Sequence, residues 1–215
     1  MSGPQKLLIL GAGHLAMDVA DQIEDLPGLE VTGFVVSQPF YKPGDELLGK
    51  PVHSVEELAG FERSIHVVCV IGTTRRLDFI RQVESLGFQF ETIIHPTARV
   101  SRLAHIAAGA VICAGAQVPA GVEIGRHVFV NRGALLGPLD ILHECDCIAP
   151  GANLAANVTI GAQTWVGLGA NILEGLTIGE GCLIGAGSLV TKNVPNHVKV
   201  VGAPAMIIEK DIQPY

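Results

Sequence analysis

A glycine-rich turn near the start of the chain could bind a phosphate group. Residues Gly11–Ala16 follow an apolar run and precede a helical pattern, in the arrangement G-x-G-x-x-G/A. In such a strand-to-helix turn, backbone N–H groups and the positive end of the helix attract an anion. An NAD site would also need an acidic residue after the second strand, where this chain has Val36 and Ser37, so NAD is disfavoured. The residues that we expect to contact substrate here are Gly11, Gly13, His14 and Ser37.

Thr73–Arg76 form a second candidate anion site. Two hydroxyl residues and two arginines stand at the next predicted strand-to-helix turn. A helix N-terminus and guanidinium groups both attract anions. We expect Thr73 and Arg75 to bind substrate, with an ordinary surface charge at the start of a helix as the alternative.

His143, followed directly by Glu144, could carry out proton transfer. Imidazole titrates near neutral pH, and a neighbouring carboxylate fixes its tautomer and raises its basicity. We expect His143 to be the base, with Glu144 or Asp140 orienting it. His127 is the substitute candidate. A solvated histidine without a catalytic role is the alternative for either.

The five cysteines are an odd number and lack C-x-x-C spacing. Cys147 would act as a nucleophile only as a thiolate with a positive neighbour. We therefore interpret all five as small, core-like residues.

The composition indicates a globular protein. Apolar residues make up 48% of the 215 residues and charged residues 16%, which excludes disorder. No apolar run is long enough to span a membrane. The net charge of −7 repels polyanions and gives no support to nucleic-acid binding. The first residues lack a signal-peptide layout, so we expect a cytoplasmic protein.

Residues 1–94 predict a small α/β domain. Short β-branched or leucine-rich runs alternate with helical patterns, which is typical of βαβ units with a parallel sheet. The predicted strands are Leu7–Leu10, Val31–Val36 and His66–Ile71, and the predicted helices are 15–26, 55–58 and 75–86. The proline- and glycine-rich segment 42–51 predicts a surface loop.

A six-residue repeat dominates residues 95–215. From Val100 to Val190 every sixth residue is aliphatic, without exception over sixteen positions, and small residues recur four places after it. One large and one small inward residue suit a triangular coil, in which each coil buries its aliphatic column against its neighbours. We predict a parallel β-helix of about five coils with three hexapeptides each, capped by the segment after Lys192.

Asp140 and Asp146 occupy two of the small inward positions. Carboxylates without partners inside an aliphatic coil would be destabilising. The pattern therefore predicts that Gly137–Cys147 departs from regular coil geometry.

Several short motifs are spread over nearly the whole chain. They are Ile9–Gly13, Gly33-Phe34, Leu48–Val52, Ile71-Gly72, Ile94–Pro96, Asn131–Gly133, Ala149–Ala152, Asn157–Gly161, Ile184–Gly187 and Val201–Ala205. In this combination the chain resembles the left-handed β-helix (hexapeptide-repeat) sugar acetyltransferases, specifically the group of sialic acid O-acetyltransferase and the nucleotide-linked 4-amino-sugar N-acetyltransferases.

The resemblance implies a Rossmann-like domain (1–94) that holds a nucleotide-sugar, followed by a left-handed β-helix (95–215) that transfers the acyl group. It also implies a homotrimer, with acetyl-CoA lying in a groove between neighbouring coils. A histidine base would deprotonate the acceptor amine or hydroxyl as it attacks the thioester, and a backbone N–H would stabilise the oxyanion. No metal is implied.

The family's base lies seven residues after the Asn of Asn-x-Gly, which in this chain is Pro138. Either the chain loops out and brings His143 back to the groove, or the usual base is missing. Val36 and Ser37 likewise stand where the family has aspartates. The resemblance places Cys147 at the thioester end of CoA, and Leu168 and Ala186 along its pantetheine arm.

The leading hypothesis is an acetyl-CoA-dependent acetyltransferase acting on an amino or hydroxyl group of a nucleotide-linked sugar. A non-catalytic trimeric scaffold that has lost the base is the alternative, which Pro138 favours. A metal-dependent hydratase on the same coil would need three convergent histidines, and only His127 and His143 lie on the central coils.

Overall fold

A computed structural model describes residues 3–215, which form two compact units. The first unit comprises the chain up to Gly72 together with Arg76–Ile93, and the second comprises Thr73–Arg75 and Ile94–Tyr215. Relative to the predicted division after residue 94, the difference is the segment Thr73–Arg75, which packs with the second unit.

The first unit is built on a mostly parallel five-stranded sheet. Its elements are β1 (Gln5–Leu10), α1 (His14–Glu24), β2 (Leu29–Val36), β3 (Glu46–Leu47), β4 (Lys50–Ser54), β5 (His66–Cys69) and α2 (Leu77–Ser85). The strand order is β3-β4-β2-β1-β5, and only the β3–β4 pair is antiparallel. Leu7–Leu10 of β1 are fully buried, as expected for a central parallel strand.

The predicted surface loop 42–51 contains a hairpin. β3 and β4 are joined by Leu48 and Gly49, which have φ values of 52° and 68°. A two-residue connection with positive φ at both residues matches the twist of a hairpin. The predicted helix 55–58 is a 3₁₀ helix, Val55–Gly60, and two further 3₁₀ turns lie at Gln38–Phe40 and Thr74–Arg76.

The second unit is a parallel coil of two-residue strands. The strands are β6 (Ile93–Ile94), β7 (Arg99–Val100), β8 (His105–Ile106), β9 (Val111–Ile112), β10 (Gln117–Val118), β11 (Glu123–Ile124), β12 (Phe129–Val130), β13 (Ile141–Leu142), β14 (Cys147–Ile148), β15 (Asn153–Leu154), β16 (Thr159–Ile160), β17 (Trp165–Val166), β18 (Asn171–Ile172), β19 (Thr177–Ile178), β20 (Leu183–Ile184) and β21 (Leu189–Val190). Glu123 pairs with Ile141, and Phe129 with Cys147, each 18 residues further on. Three hexapeptides therefore make one coil, as predicted.

The coil has three sides. Side 1 contains β7, β10, β15, β18 and β21, with Leu135 bridging Gln117 and Asn153. Side 2 contains β8, β11, β13, β16 and β19, and side 3 contains β6, β9, β12, β14, β17 and β20. β22 (Val198–Gly202) extends side 3 by parallel pairing with β20, and β23 (Ala205–Lys210) returns antiparallel to β22.

The aliphatic column fills the coil interior. Every aliphatic residue of the repeat from Ile112 to Val190 is buried, whereas Val100 and Ile106 are half-buried in the first coil. The predicted packing of each coil against its neighbours is confirmed.

The predicted departure from regular coil geometry at Gly137–Cys147 is wrong. β13 and β14 lie in register with the coils before and after them. The two oxygens of the fully buried Asp140 accept hydrogen bonds from the N–H groups of Gly137 (2.7 Å) and Val158 (2.8 Å). Backbone donors at a coil corner need acceptors, so an inward carboxylate fits without distorting the chain.

Asp146 makes the same arrangement at the next corner. Its oxygens accept hydrogen bonds from the N–H groups of His143 (2.8 Å) and Thr164 (3.0 Å). The hydroxyl of Thr164 in turn accepts from the N–H of Cys182 (3.0 Å) and donates to the carbonyl of Gly179 (2.7 Å). A polar ladder thus runs inside this corner through three successive coils.

Within residues 3–215, no helix is long and apolar enough to cross a membrane.

Candidate active site

A cavity of about 640 Å³ lies in the first unit, at the carboxyl ends of its parallel strands. This edge is where open α/β sheets bind ligands. The lining residues are Gly11, Ala12, Gly13, His14, Leu15, Val36, Ser37, Phe40, Asp45, Glu46, Leu47, Val52, Val70, Ile71 and Gly72. The structure therefore brings together four of the predicted substrate residues, namely Gly11, Gly13, His14 and Ser37.

The glycine turn is shaped for close approach to a ligand. Gly11 has φ of 115°, and a Cβ there would lie 2.7 Å from the carbonyl oxygen of Val70. Gly13 has nothing within 4 Å of an added Cβ. It caps α1 without a side-chain hydrogen bond, and the first turn of α1 holds no acidic residue. The first N–H groups of α1 are therefore open to an anion.

Among the lining residues that the sequence reasoning missed, three are exposed polar or aromatic side chains. Phe40 is 75% exposed at the cavity, and Asp45 and Glu46 are also exposed there. They belong to the segment between β2 and β4, which carries no pattern linking it to the glycine turn. An aromatic residue next to proline in a loop was the one available signal.

Thr73 and Arg75 do not line this cavity. The N–H groups of Thr74 (2.6 Å) and Arg75 (3.3 Å) donate to the main-chain oxygen of Tyr215, and the hydroxyls of Thr73 and Thr74 donate to the same oxygen. Substrate binding by Thr73 and Arg75 stays a prediction, and an anion at these N–H groups would have to displace Tyr215.

His143 is exposed at the corner between sides 2 and 3, directly after β13. Because β13 and β14 lie in register with the neighbouring coils, the chain does not loop out here, so the alternative in which a loop brings His143 back to the groove is wrong. Pro138 lies one corner earlier, between sides 1 and 2, where Leu139 N–H donates to the carbonyl of Ala120. The imidazole and the position of the family's base are therefore one side of the coil apart.

Asp140 cannot orient the His143 ring, because both of its oxygens accept backbone hydrogen bonds inside the coil. Glu144 is half-buried beside His143. Within residues 3–215 the two side chains make neither a hydrogen bond nor an ion pair with each other. Orientation by Glu144 would have to arise on substrate binding, and it stays a prediction.

His127 is poorly placed for proton transfer. Its side chain is 2% exposed and its φ is 58°. The ring packs over Gly109, where an added Cβ would lie 2.3 Å from Nδ1. This contact gives His127 a packing role.

All five cysteines are buried, and none of them forms a disulfide bond within the described chain. Burial raises the pKa of the Cys69 thiol to about 11, and it also raises that of Cys182. Cys147, on side 3, pairs with Phe129 and Trp165 on the neighbouring coils and is 2% exposed. Contact of Cys147 with CoA stays a prediction.

Leu168 and Ala186 lie at one corner of the coil, between sides 3 and 1, on adjacent coils. The N–H of Gly187 donates to the carbonyl of Leu168 over 2.7 Å, which fixes this spacing. Within residues 3–215, the N–H groups of Leu168 and Ala186 themselves donate to no acceptor. A Cβ on Gly167 would lie 2.7 Å from the nitrogen of Ala186, so glycine is needed for the coils to approach each other. The corner therefore offers two stacked amide donors to an extended ligand.

A smaller concave site lies one coil before Pro138 and was not predicted. Its volume is about 200 Å³, and it is lined by Arg99, Ser101, Gln117, Val118, Pro119, Ala120 and Leu136. Among residues 3–215, no three histidine, cysteine or acidic side chains are grouped as metal ligands would be.

Comparison with known proteins gives a family match within the coil and structural similarity over nearly the whole chain. The family model for the bacterial transferase hexapeptide (six repeats) matches residues 157–192. No curated protein sequence matches the chain.

Several solved structures are similar over nearly the whole chain. A histidine mutant of perosamine N-acetyltransferase from Caulobacter crescentus, in complex with CoA and GDP-perosamine, is 28% identical, with 97% of this chain and 98% of that chain covered and a TM-score of 0.88. The acetyltransferase domain of PglB from Neisseria gonorrhoeae, in complex with acetyl coenzyme A, is 30% identical, with coverage of 96% and 100% and a TM-score of 0.88. WeeI from Acinetobacter baumannii, at 24% identity, 95% and 100% coverage and a TM-score of 0.84, shares the fold.

The hexapeptide match and the 30% identity over the full length of an acetyltransferase domain agree with the resemblance drawn from the sequence motifs. The chain belongs to the hexapeptide-repeat sugar acetyltransferases and is an acyltransferase.

Proposed function

We propose that this protein transfers an acetyl group from acetyl-CoA to an amino or hydroxyl group of a nucleotide-linked sugar. The observation that carries the proposal is the likeness, over 97% of the chain, to an N-acetyltransferase whose structure holds both CoA and GDP-perosamine. The alternative of a non-catalytic scaffold is not favoured by this likeness or by the likeness to a domain that holds acetyl coenzyme A.

The cavity of the first unit is proposed as the nucleotide-sugar site. The open N–H groups at the start of α1 suit a diphosphate, because they point positive charge at an anion. The exposed ring of Phe40 suits stacking with a nucleobase. The strand order and the glycine turn support a Rossmann-like domain over residues 1–94.

The coil, residues 95–215, is proposed as a left-handed β-helix that carries the transfer. The stacked N–H groups of Leu168 and Ala186 suit the amide carbonyls of a pantetheine arm. Acetyl-CoA supplies a thioester carbonyl, which an amine attacks more readily once its proton can leave. We assign removal of that proton to His143, oriented by Glu144. The new bond forms at the carbonyl carbon, the carbon–sulfur bond breaks, and the proton passes through the imidazole to the leaving sulfur.

A homotrimer in the cytoplasm is part of the same proposal. The coil has three sides and presents exposed leucines, including Leu135, Leu139 and Leu168, which are 43%, 59% and 56% exposed. Large exposed apolar side chains on a rigid coil suit an interface between subunits.

Thiol release from acetyl-CoA in the presence of nucleotide-linked 4-amino-sugars tests the proposed function. We expect turnover with at least one member of a panel that varies the nucleotide and the position of the amino group. Binding of CoA with no turnover on any acceptor would instead favour the scaffold.

The base is tested separately. We expect His143→Ala to lower kcat about a hundredfold or more while CoA binding is retained, because removal of a general base affects only the proton-transfer step. His105→Ala is the matched control, since His105 is also an exposed histidine of the coil and lies in β8. Full activity of His143→Ala would remove His143 as the base and leave the acyltransferase in place.

A further inference from the structure

The concave site of about 200 Å³ on side 1 of the coil has no role in the proposed function. It shares no residue with the cavity of the first unit or with the corner that carries Leu168 and Ala186. All of its lining residues belong to the second unit. We name it the Arg99 pocket and define it by Arg99, Ser101, Gln117, Val118, Pro119, Ala120 and Leu136.

The rim of the Arg99 pocket is polar and carries a positive charge. Arg99 and Gln117 are paired residues of the adjacent strands β7 and β10, so their side chains project from the same face, one coil apart. Within residues 3–215 the guanidinium of Arg99 makes no hydrogen bond and no ion pair. The hydroxyl of Ser101 accepts from the N–H of Leu103 over 3.1 Å, which leaves its own proton available to a ligand. The rim therefore offers donors to a ligand, and no acidic residue lines the pocket.

Pro119 interrupts the hydrogen bonds between coils at the floor of the pocket. At this corner the N–H groups of Ser101 and Ala155 each donate to a carbonyl on the next coil, over 2.8 Å and 2.9 Å. Pro119 occupies the equivalent position and has no N–H. The carbonyl of Leu136, which such an N–H would meet, accepts no backbone hydrogen bond within residues 3–215. Because Leu136 is buried, its carbonyl favours a ligand that brings a donor.

The size and lining of the pocket suit one sugar ring. Its volume of about 200 Å³ is below the roughly 300–1,000 Å³ of sites that enclose a drug-sized ligand, so a whole nucleotide-sugar or CoA does not fit. Val118, Pro119 and Leu136 form an apolar floor under the polar rim. A pyranose ring has apolar C–H faces and hydroxyl groups around its edge, and these match the floor and the rim.

The guanidinium of Arg99 adds a preference for an acidic ring. Arginine binds a planar carboxylate through two parallel N–H bonds, which a neutral hydroxymethyl group cannot accept in the same way. The carbonyl of Leu136 needs a donor from the same ligand. A ring with one carboxylate and several hydroxyl groups meets both requirements, whereas a simple carboxylate meets only the first.

We propose that the Arg99 pocket binds an acidic sugar, a single pyranose ring that carries a carboxylate as the uronates do. The carboxylate binds to Arg99, and the side chains of Ser101 and Gln117 contact the ring hydroxyl groups. One ring hydroxyl donates to the carbonyl of Leu136. This site goes beyond the proposed function, because it is separate from the sites assigned to the nucleotide-sugar and to CoA and its occupancy requires no acetyl transfer.

Titration of the full chain with D-glucuronate and D-galacturonate, followed by NMR, tests the site. D-glucose and D-galactose are the matched ligands, in which a hydroxymethyl group replaces the carboxylate. Acetate is the carboxylate without a ring. We expect at least one uronate to bind about tenfold more tightly than its neutral counterpart and than acetate, because only the uronate combines the charge-assisted pair of hydrogen bonds with the ring contacts.

Arg99→Gln removes the guanidinium and should lower uronate affinity about tenfold while hexose affinity stays the same. Arg102→Gln is the matched control, since Arg102 is an exposed arginine three residues later that does not line the pocket, and it should bind like the wild type. Because Arg99 is exposed, thermal unfolding of Arg99→Gln should match that of the wild type, so that a change in binding reports on the site.

A second variant tests the floor of the pocket. Pro119→Ala supplies an N–H that donates to the carbonyl of Leu136, as the N–H of Ser101 does to its partner one coil earlier. The carbonyl is then no longer open to the ligand. We expect Pro119→Ala to weaken the binding of uronates and hexoses alike, about threefold, which is the usual worth of one neutral hydrogen bond.

A uronate preference that is lost in Arg99→Gln and kept in Arg102→Gln supports the proposal. Equal affinity of the wild type for uronates and hexoses, or a preference that survives in Arg99→Gln, overturns it. Acetate that binds as tightly as the uronates overturns it as well, because the site would then hold an anion without a ring. A wild-type protein that binds none of these ligands has the same consequence. None of these results affects the proposed acetyl transfer, which is measured with acetyl-CoA and nucleotide-linked sugars.

Discussion

The buried carboxyl of Asp140 makes the coil less stable as the pH rises. Burial raises the pKa of its carboxyl from 3.8 to about 6, although the N–H groups of Val158 and Gly137 favour the ionised form. The folded state therefore binds this proton more tightly than the unfolded state. The stability that the proton contributes is fully present below about pH 4 and is lost as the pH rises through about 6.

The size of the effect follows from the two pKa values. Their difference corresponds to about 3 kcal/mol in full, and about 2 kcal/mol of it falls between pH 4 and pH 7, because the unfolded carboxyl is still partly protonated at pH 4. In Asp140→Asn this titration is gone. The amide can accept from only one of the two N–H groups, which costs about 1–3 kcal/mol at every pH. The wild type should therefore exceed the variant in free energy of unfolding by about 2 kcal/mol more at pH 4 than at pH 7.

Urea unfolding at pH 4, 5, 6 and 7 measures this difference, with the fluorescence of Trp165, the single tryptophan of the chain, as the signal. Protein concentration is kept fixed, because assembly contributes to apparent stability. Asp21→Asn, at an exposed position, is the control and should track the wild type. A difference between wild type and Asp140→Asn that is constant, or that grows with pH, would refute the reasoning. It would mean that the two N–H donors outweigh desolvation.

Two further predictions compare matched positions by thermal unfolding. Gly11→Ala should destabilise the first unit by about 2 kcal/mol or more, because the new Cβ would meet a carbonyl oxygen at 2.7 Å with φ at 115°, whereas Gly13→Ala has open space and should unfold like the wild type. Thr164→Val should lose about 2 kcal/mol, since its hydroxyl makes two buried hydrogen bonds, and the exposed Thr177→Val should lose almost nothing. Equal effects within either pair would contradict the assigned contacts.

The coil was predictable because the burial of its aliphatic side chains repeats at a fixed spacing of six residues. Every sixth side chain points into the coil and has the same environment. Because the coil has three sides of six residues each, paired strands are 18 residues apart. The glycine turn was predictable for a similar reason, since strand, turn and helix are consecutive in the sequence. Both predictions used spacing within a few residues, and the structure has the coil and the turn where they were predicted.

The prediction at Asp140 and Asp146 was wrong because it considered the buried carboxylates and left out the backbone N–H groups that donate to them. The sequence shows two inward carboxylates, and their burial without partners would be destabilising. It does not show that the corner N–H groups of Val158 and Thr164 need acceptors there. Each carboxylate meets a donor 18 residues further on, and a pattern of hydrophobic residues carries no information about such pairs.

The hydrogen bond between Thr73 and Tyr215 lay beyond sequence reasoning for a different reason. Thr73 and Tyr215 are separated by 142 positions, and no periodicity connects them. Thr73–Arg76 carried the signature of an anion-binding turn. In the structure the N–H groups of Thr74 and Arg75 donate to the main-chain oxygen of Tyr215 instead.

The regular coil also constrains where transfer can take place. His143 lies at the corner between sides 2 and 3, and the amides of Leu168 and Ala186 lie at the corner between sides 3 and 1. Within one subunit, a thioester held at the second corner would have to reach across side 3, past Cys147 and Trp165, to meet the imidazole. A groove between two subunits can instead bring one corner of each together. If the proposed base His143 and the proposed CoA site at Leu168 and Ala186 are both correct, the active site is built from two subunits, and an isolated subunit should bind CoA without transferring the acetyl group.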